Sequence, residues 1–440
     1  MPTPPSETIF SNLEILNLFK HFLPGHKSEI VSSIKEQDFS RDRKFTLPVV
    51  LALLINMVRP GTRVGYQCVI NRFSADSGTL ADNGFSAKPP DQAAFHRARK
   101  KLPLDVIQSL FEKAVSMATC LAGRFASLRW KGHRVLAIDG TRKNMPLSCE
   151  LADFFGIHSG ASRPQMLVCT LYDVLAKIPL DCAAAHHGTS ERALAGTLME
   201  SLKPGDLILM DRGFPGFRLF DDLLKTGVDF LVRLPVQGLF GPVRAFLDKG
   251  RADGLVTIRP AQSAIGEYRL EGRPAHKPMT LRIVKASLPN GKKILFATTL
   301  LDAARYSRSN LVDLYHMRWE QEEYFKLIKG LLEAENFRGK CLLLVSQELL
   351  AINLYCLLTR ILMLQSALIH NIFPDNIAQK PAFFAVSHFL DLIWKSEAID
   401  QCLHWLRCCL EEISWGKYKK RPNRSSPSPT SAVGTFFNEF

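Results

Sequence analysis

The chain has 440 residues, 46% of them hydrophobic and 22% charged, which excludes a largely disordered or low-complexity protein and leaves room for roughly two or three domains with buried cores. Its 56 basic against 42 acidic residues give a formal net charge of +14, so a polyanion is the expected partner and nucleic acid the first candidate. Ten scattered cysteines form no C-x-x-C pair and show no His spacing for a zinc site, which points to reduced core thiols of a cytosolic protein rather than a disulfide framework.

The N-terminus, Met-Pro-Thr-Pro-Pro-Ser, lacks the charged segment and apolar run of a secretion signal. Helices are expected at Phe10–Phe22, Ser28–Lys35, Leu47–Met57, Asp91–Lys101 and Leu104–Ala122, with Asp91 capping the fourth after Pro89-Pro90. Gly61-Thr-Arg63 and the stretch Asp76–Lys88 read as loops. Arg97, Lys100 and Lys101 share a face of the fourth helix, as expected either for a helix laid on phosphates or for an ordinary basic surface. The apolar segments Leu47–Val58 and Cys341–Leu368 read as buried core helices rather than membrane spans. The first is too short to span, and the second is interrupted by Gln347, Glu348 and Arg360.

Near Trp130 the pattern changes to alternating strands and helices. Arg134–Asp139, Met166–Tyr172, Ile178–Ala185, Asp206–Asp211 and Val228–Leu234 read as strands, with helices at Ser190–Leu202 and Pro215–Lys225, which together predict an α/β domain around a mixed sheet. Residues 236–302 read as a mostly β insertion, with strands at Leu255–Arg259, Glu267–Leu270, Met279–Ser287 and Lys293–Thr299. Helices resume with Tyr315–Lys329 and run to about residue 413, before a basic, Ser/Pro-rich tail.

Tyr315–Lys329 contains no Gly or Pro and reads as one amphipathic helix. At about 100° per residue, Tyr315, Arg318, Glu322 and Lys329 fall within an arc of about 60°, and Lys326 lies near the same line. Alone, such a face reads as a solvated surface laced with i,i+4 ion pairs. Two carboxylates upstream change that reading. Asp139 and Asp211 each end an apolar strand and precede a Gly-containing turn, where carboxylates can converge on one point. Three carboxylates there repel one another unless cations sit among them. Hard oxygen ligands favour magnesium or manganese, and two such ions about 3.5–4 Å apart suit in-line phosphoryl displacement. Arg142 and Lys143, just past Asp139, stand either near a phosphate or in a solvated turn, and Arg212 could pair with a carboxylate. His186-His187 with Glu191 is a weaker match to metal-ligand spacing.

Tyr315-x2-Arg318-x3-Glu322-x6-Lys329 resembles the Y-x2-R-x3-E-x6-K signature of DDE transposases of the insertion-sequence-four family. Ala137-Ile-Asp139-Gly-Thr141 resembles that family's first carboxylate motif and Gly205–Phe214 its second. Ser190-Glu191-Arg192 is also similar to a family pattern. The resemblance spans roughly residues 40–370. It implies a ribonuclease H-like catalytic domain (residues 129–235 and 303–335) carrying the β-rich insertion 236–302. A helical N-terminal DNA-binding domain (1–128) would precede it, and a helical region (336–415) and a flexible basic tail (416–440) would follow. It further implies a catalytic, metal-binding triad of Asp139, Asp211 and Glu322 using two Mg2+ or Mn2+ ions. Tyr315, Arg318 and Lys329 would contact DNA phosphates, and a homodimer would act on double-stranded terminal inverted repeats and target DNA in the bacterial cytoplasm. Some relatives cut through a hairpin with a base flipped onto an aromatic ring, for which Trp319 or Phe214 is available, although Trp319, Tyr324 and Phe325 also read as core. Two other readings compete: a catalytically silent DNA-binding repressor, and a metal-dependent nuclease that cuts without joining.

Overall fold

The structure is a computed structural model that describes residues 10–19, 34, 38–39, 45–61, 65–77, 89–235, 240–270, 272, 277–287, 291, 293–396 and 398–417. The expected helix Ser28–Lys35, apart from Ile34, and the basic tail beyond 417 lie outside these residues, as does 78–88 of the expected loop.

Among the described residues five helices come first: α1 (Asn12–Phe19), α2 (Leu47–Asn56), α3 (Tyr66–Ser77), α4 (Gln92–Arg99) and α5 (Leu104–Gly123). Asp91 caps α4 as expected, accepting from the Ala94 N–H at 2.6 Å. The central region then lays down β1 (Val135–Asn144), α6 (Cys149–Phe155), β2 (Gln165–Asp173), β3 (Ile178–His186), α7 (Glu191–Gly196), β4 (Leu207–Met210), α8 (Phe217–Lys225) and β5 (Asp229–Arg233). After β5 follow α9 (Gly241–Asp248), β6 (Asp253–Ile258), α10 (Gln262–Leu270), β7 (Met279–Ser287) and β8 (Lys293–Thr298). The chain closes with α11 (Arg308–His316), α12 (Trp319–Leu331), α13 (Leu342–Ile369), α14 (Gln379–Ile393) and α15 (Ile399–Trp415).

The eight strands of the described residues share one sheet in the order β3-β2-β1-β4-β5-β8-β7-β6. β1, β4 and β5 run parallel, while β2 and β3 form an antiparallel meander on the far side of β1. That five-strand order and direction is the ribonuclease H-like arrangement. The insertion adds to the same sheet, because β8 returns antiparallel along β5 with Leu231 opposite Thr298. It is also less purely β than expected. Glu267–Leu270, expected as a strand, belongs to helix α10, and α9 begins at Gly241-Pro242 and buries Val243 and Phe246 three residues apart.

The long helix α13 runs through the core beside α5, α14, α15 and β3. Its length and composition would let it cross a membrane, yet 83% of its most apolar window is buried inside the protein. Every residue of α2 is buried as well. The polar residues that interrupt α13 are partnered: Arg360 donates to the Ala176 carbonyl at 2.6 Å, and Glu348 pairs with the fully buried Arg99 of α4 at 2.9 Å. All ten cysteines are free, but only some are core residues. Cys169, Cys356, Cys402 and Cys409 are buried, whereas Cys68, Cys120, Cys149 and Cys408 are exposed.

Candidate active site

The parallel pairing of β1 with β4 runs from Val135–Leu207 to Ala137–Leu209 and stops there. Asp139 and Asp211 each lie two residues beyond that last pair, so the two aspartates stand level on adjacent parallel strands. This register is why carboxylates 72 positions apart face one opening. The surroundings of Asp139 differ from the expected strand end and turn. β1 continues to Asn144 because β2 goes on pairing with it after β4 has ended, so Gly140, Arg142 and Lys143 are strand residues.

Glu322 arrives from α12. The stretch Tyr315–Lys329 is two helices rather than one, broken at Met317-Arg318. There the backbone changes to i,i−3 bonds: Met317 N–H to Leu314, Arg318 to Tyr315 and Glu320 to Met317. The tighter turn reorients Tyr315 relative to α12. The Tyr315 hydroxyl donates to Asp211 at 2.9 Å. The Arg318 guanidinium donates to Asp139 at 3.2 Å through Nη1 and to Glu322 at 2.7 Å through Nη2. Gln321, fully buried, anchors α12 by donating to the Thr170 carbonyl, directly across the sheet from Asp139.

The two aspartates are electrostatically unlike. Burial pushes Asp139 up to about 6; Arg318 and the Gly140 N–H oppose this, while Glu191 and then Glu322 add to it. Burial also acts on Asp211, but the Arg212 N–H, the Tyr315 hydroxyl, Arg318 and Arg233 outweigh it and hold that carboxyl below the usual range. Arg212 thus serves Asp211 through its backbone, and its side chain is exposed.

The other expected contacts lie elsewhere. Lys329 pairs with Glu335 at 2.8 Å and Lys326 with Glu323 at 2.7 Å, both on the exposed side of α12. Arg142 is exposed on β1, whereas Lys143 is buried and its ammonium lies 3.4 Å from the Ala334 carbonyl, which removes it as a phosphate ligand. Alternation along a strand sends these neighbours to opposite faces. Arg97 and Lys100 are exposed, Lys101 is held by Asp38 at 2.8 Å, and α4 ends at Arg99, before both lysines. Phe214 is buried and Tyr324 stacks on Tyr172 in the core, while Trp319 is 49% exposed beside the site. His186 and His187 lie at the end of β3 with His158 beside them, and among the described residues no group of three His, Cys, Asp or Glu is placed to hold a metal ion.

One residue of the site went unread in the sequence. Arg233, the last residue of β5, approaches Asp211 at 3.6 Å. Its position at the end of an apolar strand beside β4 was the available signal. Glu191 and Arg192, at the start of α7, flank the two aspartate-bearing segments.

The donor set suits a hard divalent cation. Asp139 and Glu322 are bridged by one guanidinium whose buried Nε has no hydrogen-bond partner among the described residues, and Asp211 lies within its electrostatic reach. These are the hard oxygen donors a divalent cation takes, but the guanidinium stands between them and no three carboxylates of the described residues are gathered round one point.

Residues 130–358, more than half of the chain, match the model of the transposase DDE domain family. The chain is also 25% identical over 284 residues to the transposase InsG for insertion sequence element IS4 of Escherichia coli (strain K12), a match covering 62% of each protein. Among solved structures it is similar to piggyBac transposase in a synaptic complex with hairpin DNA, with a TM-score of 0.48, 12% identity, and coverage of 98% of this chain and 90% of that one. By the extent of the domain match, which takes in Asp139, Asp211 and Glu322, the chain belongs to the transposase DDE domain family.

Proposed function

We propose that this protein is a DNA transposase of an insertion sequence. It would bind terminal inverted repeats, nick them by hydrolysis, and join the freed 3′ hydroxyl to target DNA as a homodimer, in the bacterial cytoplasm. The observation that carries this reading is the level placement of Asp139 and Asp211, with Arg318 joining Asp139 to Glu322. Two Mg2+ or Mn2+ ions held by Asp139, Asp211 and Glu322 would activate the attacking oxygen and stabilise the leaving one. In the first step water attacks phosphorus, the P–O3′ bond breaks, and the 3′ oxygen leaves as a hydroxyl. In the second, that hydroxyl attacks a target phosphate and displaces its 3′ oxygen.

The chain's own groups have separable tasks. Tyr315 and Arg233 orient and charge-balance Asp211. Arg318, once released from the carboxylates, presents a planar fork to a phosphate. Lys326 and Lys329, with Arg142, Arg97, Lys100 and Lys101, are exposed cations for backbone contacts farther along the DNA. Trp319 offers an exposed indole beside the site for an unstacked base.

The test is cleavage of a duplex carrying the element's own ends, with magnesium and with chelator, for wild type and Glu322→Gln. Metal-dependent nicking at the element boundary that disappears in Glu322→Gln while end binding persists is the expected outcome. Wild-type protein that binds the ends and never cuts them under any divalent metal would leave the repressor reading. Cutting without joining would leave the nuclease.

A further inference from the structure

The residues that open α7 touch both aspartate-bearing segments. Ser190 caps the helix, its hydroxyl accepting from the Ala193 N–H at 3.1 Å. Glu191 then lies over Gly140, the residue after Asp139. A Cβ built on Gly140 would stand 2.8 Å from the Glu191 carboxyl carbon and 2.9 Å from its Oε1. Arg192 reaches the other strand's turn, donating through Nη2 to the Gly213 carbonyl at 3.1 Å, two residues after Asp211. One helix start therefore spans the backbone following both aspartates.

Gly140 is not in the left-handed region, so its backbone alone does not require glycine. A side chain there would instead displace the Glu191 carboxylate, which occupies the volume a Cβ would fill. Such an approach brings a carboxylate to the residue next to Asp139. Glu322 has Arg318 as a partner, whereas the exposed Glu191 carboxylate has no hydrogen-bond or ion-pair partner among the described residues. An unpaired carboxylate beside Asp139 is an available oxygen donor for a cation.

We propose that Glu191 is a fourth carboxylate of the catalytic centre, holding the divalent cation on the Asp139 side, and that Gly140 is glycine to admit it. This inference rests on the metal-dependent reading of the site. Arg192 is a positioning residue that ties the turn after Asp211 to the same helix start.

The experiment titrates Mn2+ into the full-length protein and follows the loss of the free-ion signal by electron paramagnetic resonance. The variants are Glu191→Gln, Gly140→Ala and Asp139→Asn, each checked for fold by circular dichroism. Glu191→Gln and Gly140→Ala are expected to weaken Mn2+ binding by about 10- to 100-fold, and to raise the Mn2+ concentration for half-maximal nicking by the same factor. Wild-type Mn2+ affinity in Glu191→Gln, with binding lost in Asp139→Asn, overturns the role of Glu191 alone. Wild-type affinity in all three overturns the metal centre itself. Should Gly140→Ala fail to fold, Glu191→Gln decides alone, since it replaces one oxygen with nitrogen on an exposed side chain.

Discussion

Arg318 and Asp139 lie 179 residues apart in the chain and 3.2 Å apart in the fold. The guanidinium that makes this contact also holds Glu322 four residues along its own helix, so one protein cation keeps two of the three carboxylates from facing each other uncompensated. Replacing Arg318 with Ala should therefore cost about 1.5–3 kcal/mol in chelator, the range for hydrogen bonds to charged groups. Because a divalent ion would supply the same compensation, saturating Mn2+ should restore most of that loss. Arg318→Lys should fall between, since an ammonium keeps the charge without the planar fork. Urea denaturation with and without metal measures it, and an identical loss in both conditions would contradict the exchange of one cation for the other.

The raised Asp139 carboxyl makes a pH prediction. Its folded value, about 6, lies above the unfolded 3.8, so the folded state holds this proton more tightly. The group's favourable contribution is fully present below the unfolded value and is lost as pH rises through 6. In chelator, Asp139→Asn should accordingly be more stable than wild type above about pH 6, by about 1–3 kcal/mol for a shift of this size. The advantage should shrink towards pH 4. A difference that is constant from pH 4 to 8 would show that Asp139 is not set by burial.

What the sequence revealed and what it hid have separate physical origins. β1 and β4 are legible because strands buried on both faces read as continuous apolar runs, and each leads into an aspartate. The break at Met317-Arg318 left no mark, because no Gly or Pro announces it and both residues keep right-handed helical angles. Glu-Tyr-Arg-Leu at 267–270 alternates polar and apolar residues over too short a span to separate strand from helix, and the structure makes it helical. The Gly after Asp139 reads as a turn in the sequence, whereas β1 runs on through it because β2 continues to pair with it, a long-range partner that the local sequence does not announce. Lys143 reads in the sequence as a phosphate contact or a solvated turn residue, yet it is buried, since a single sequence does not show which element will cover a charged residue.

The N-terminal helices are held to the rest of the chain by a buried charge. Arg99 on α4 donates to Gln347, to the Tyr66 hydroxyl, to Glu348 and to the Leu344 carbonyl, and Tyr66 also donates to Glu348 at 2.8 Å. Removing one partner strands the other charge in the core, so Arg99→Met should cost about 3–5 kcal/mol. The double variant Arg99→Met/Glu348→Met should lose less than the sum of the two single changes, because no unpaired charge remains. Chemical denaturation of the four proteins closes the cycle, and strict additivity would mean that the pair is not coupled.

Lys329 separates a structural role from a DNA role. Its side chain is 62% exposed and its ammonium pairs with Glu335, whose side chain is 36% exposed, at 2.8 Å. An exposed pair of this kind is worth about 0–1 kcal/mol, so Lys329→Ala should leave the melting temperature nearly unchanged. If the lysine instead meets a DNA phosphate, its loss should weaken end binding at low salt and reduce the slope of log affinity against log salt by about one. Glu335→Ala should do the reverse at low salt, freeing the ammonium and tightening binding while the slope stays or rises. Filter binding across a salt series on the element's ends supplies both numbers. An unchanged slope in Lys329→Ala would confine this residue to its pair with Glu335 and leave the phosphate contacts to Arg318 and the other exposed cations.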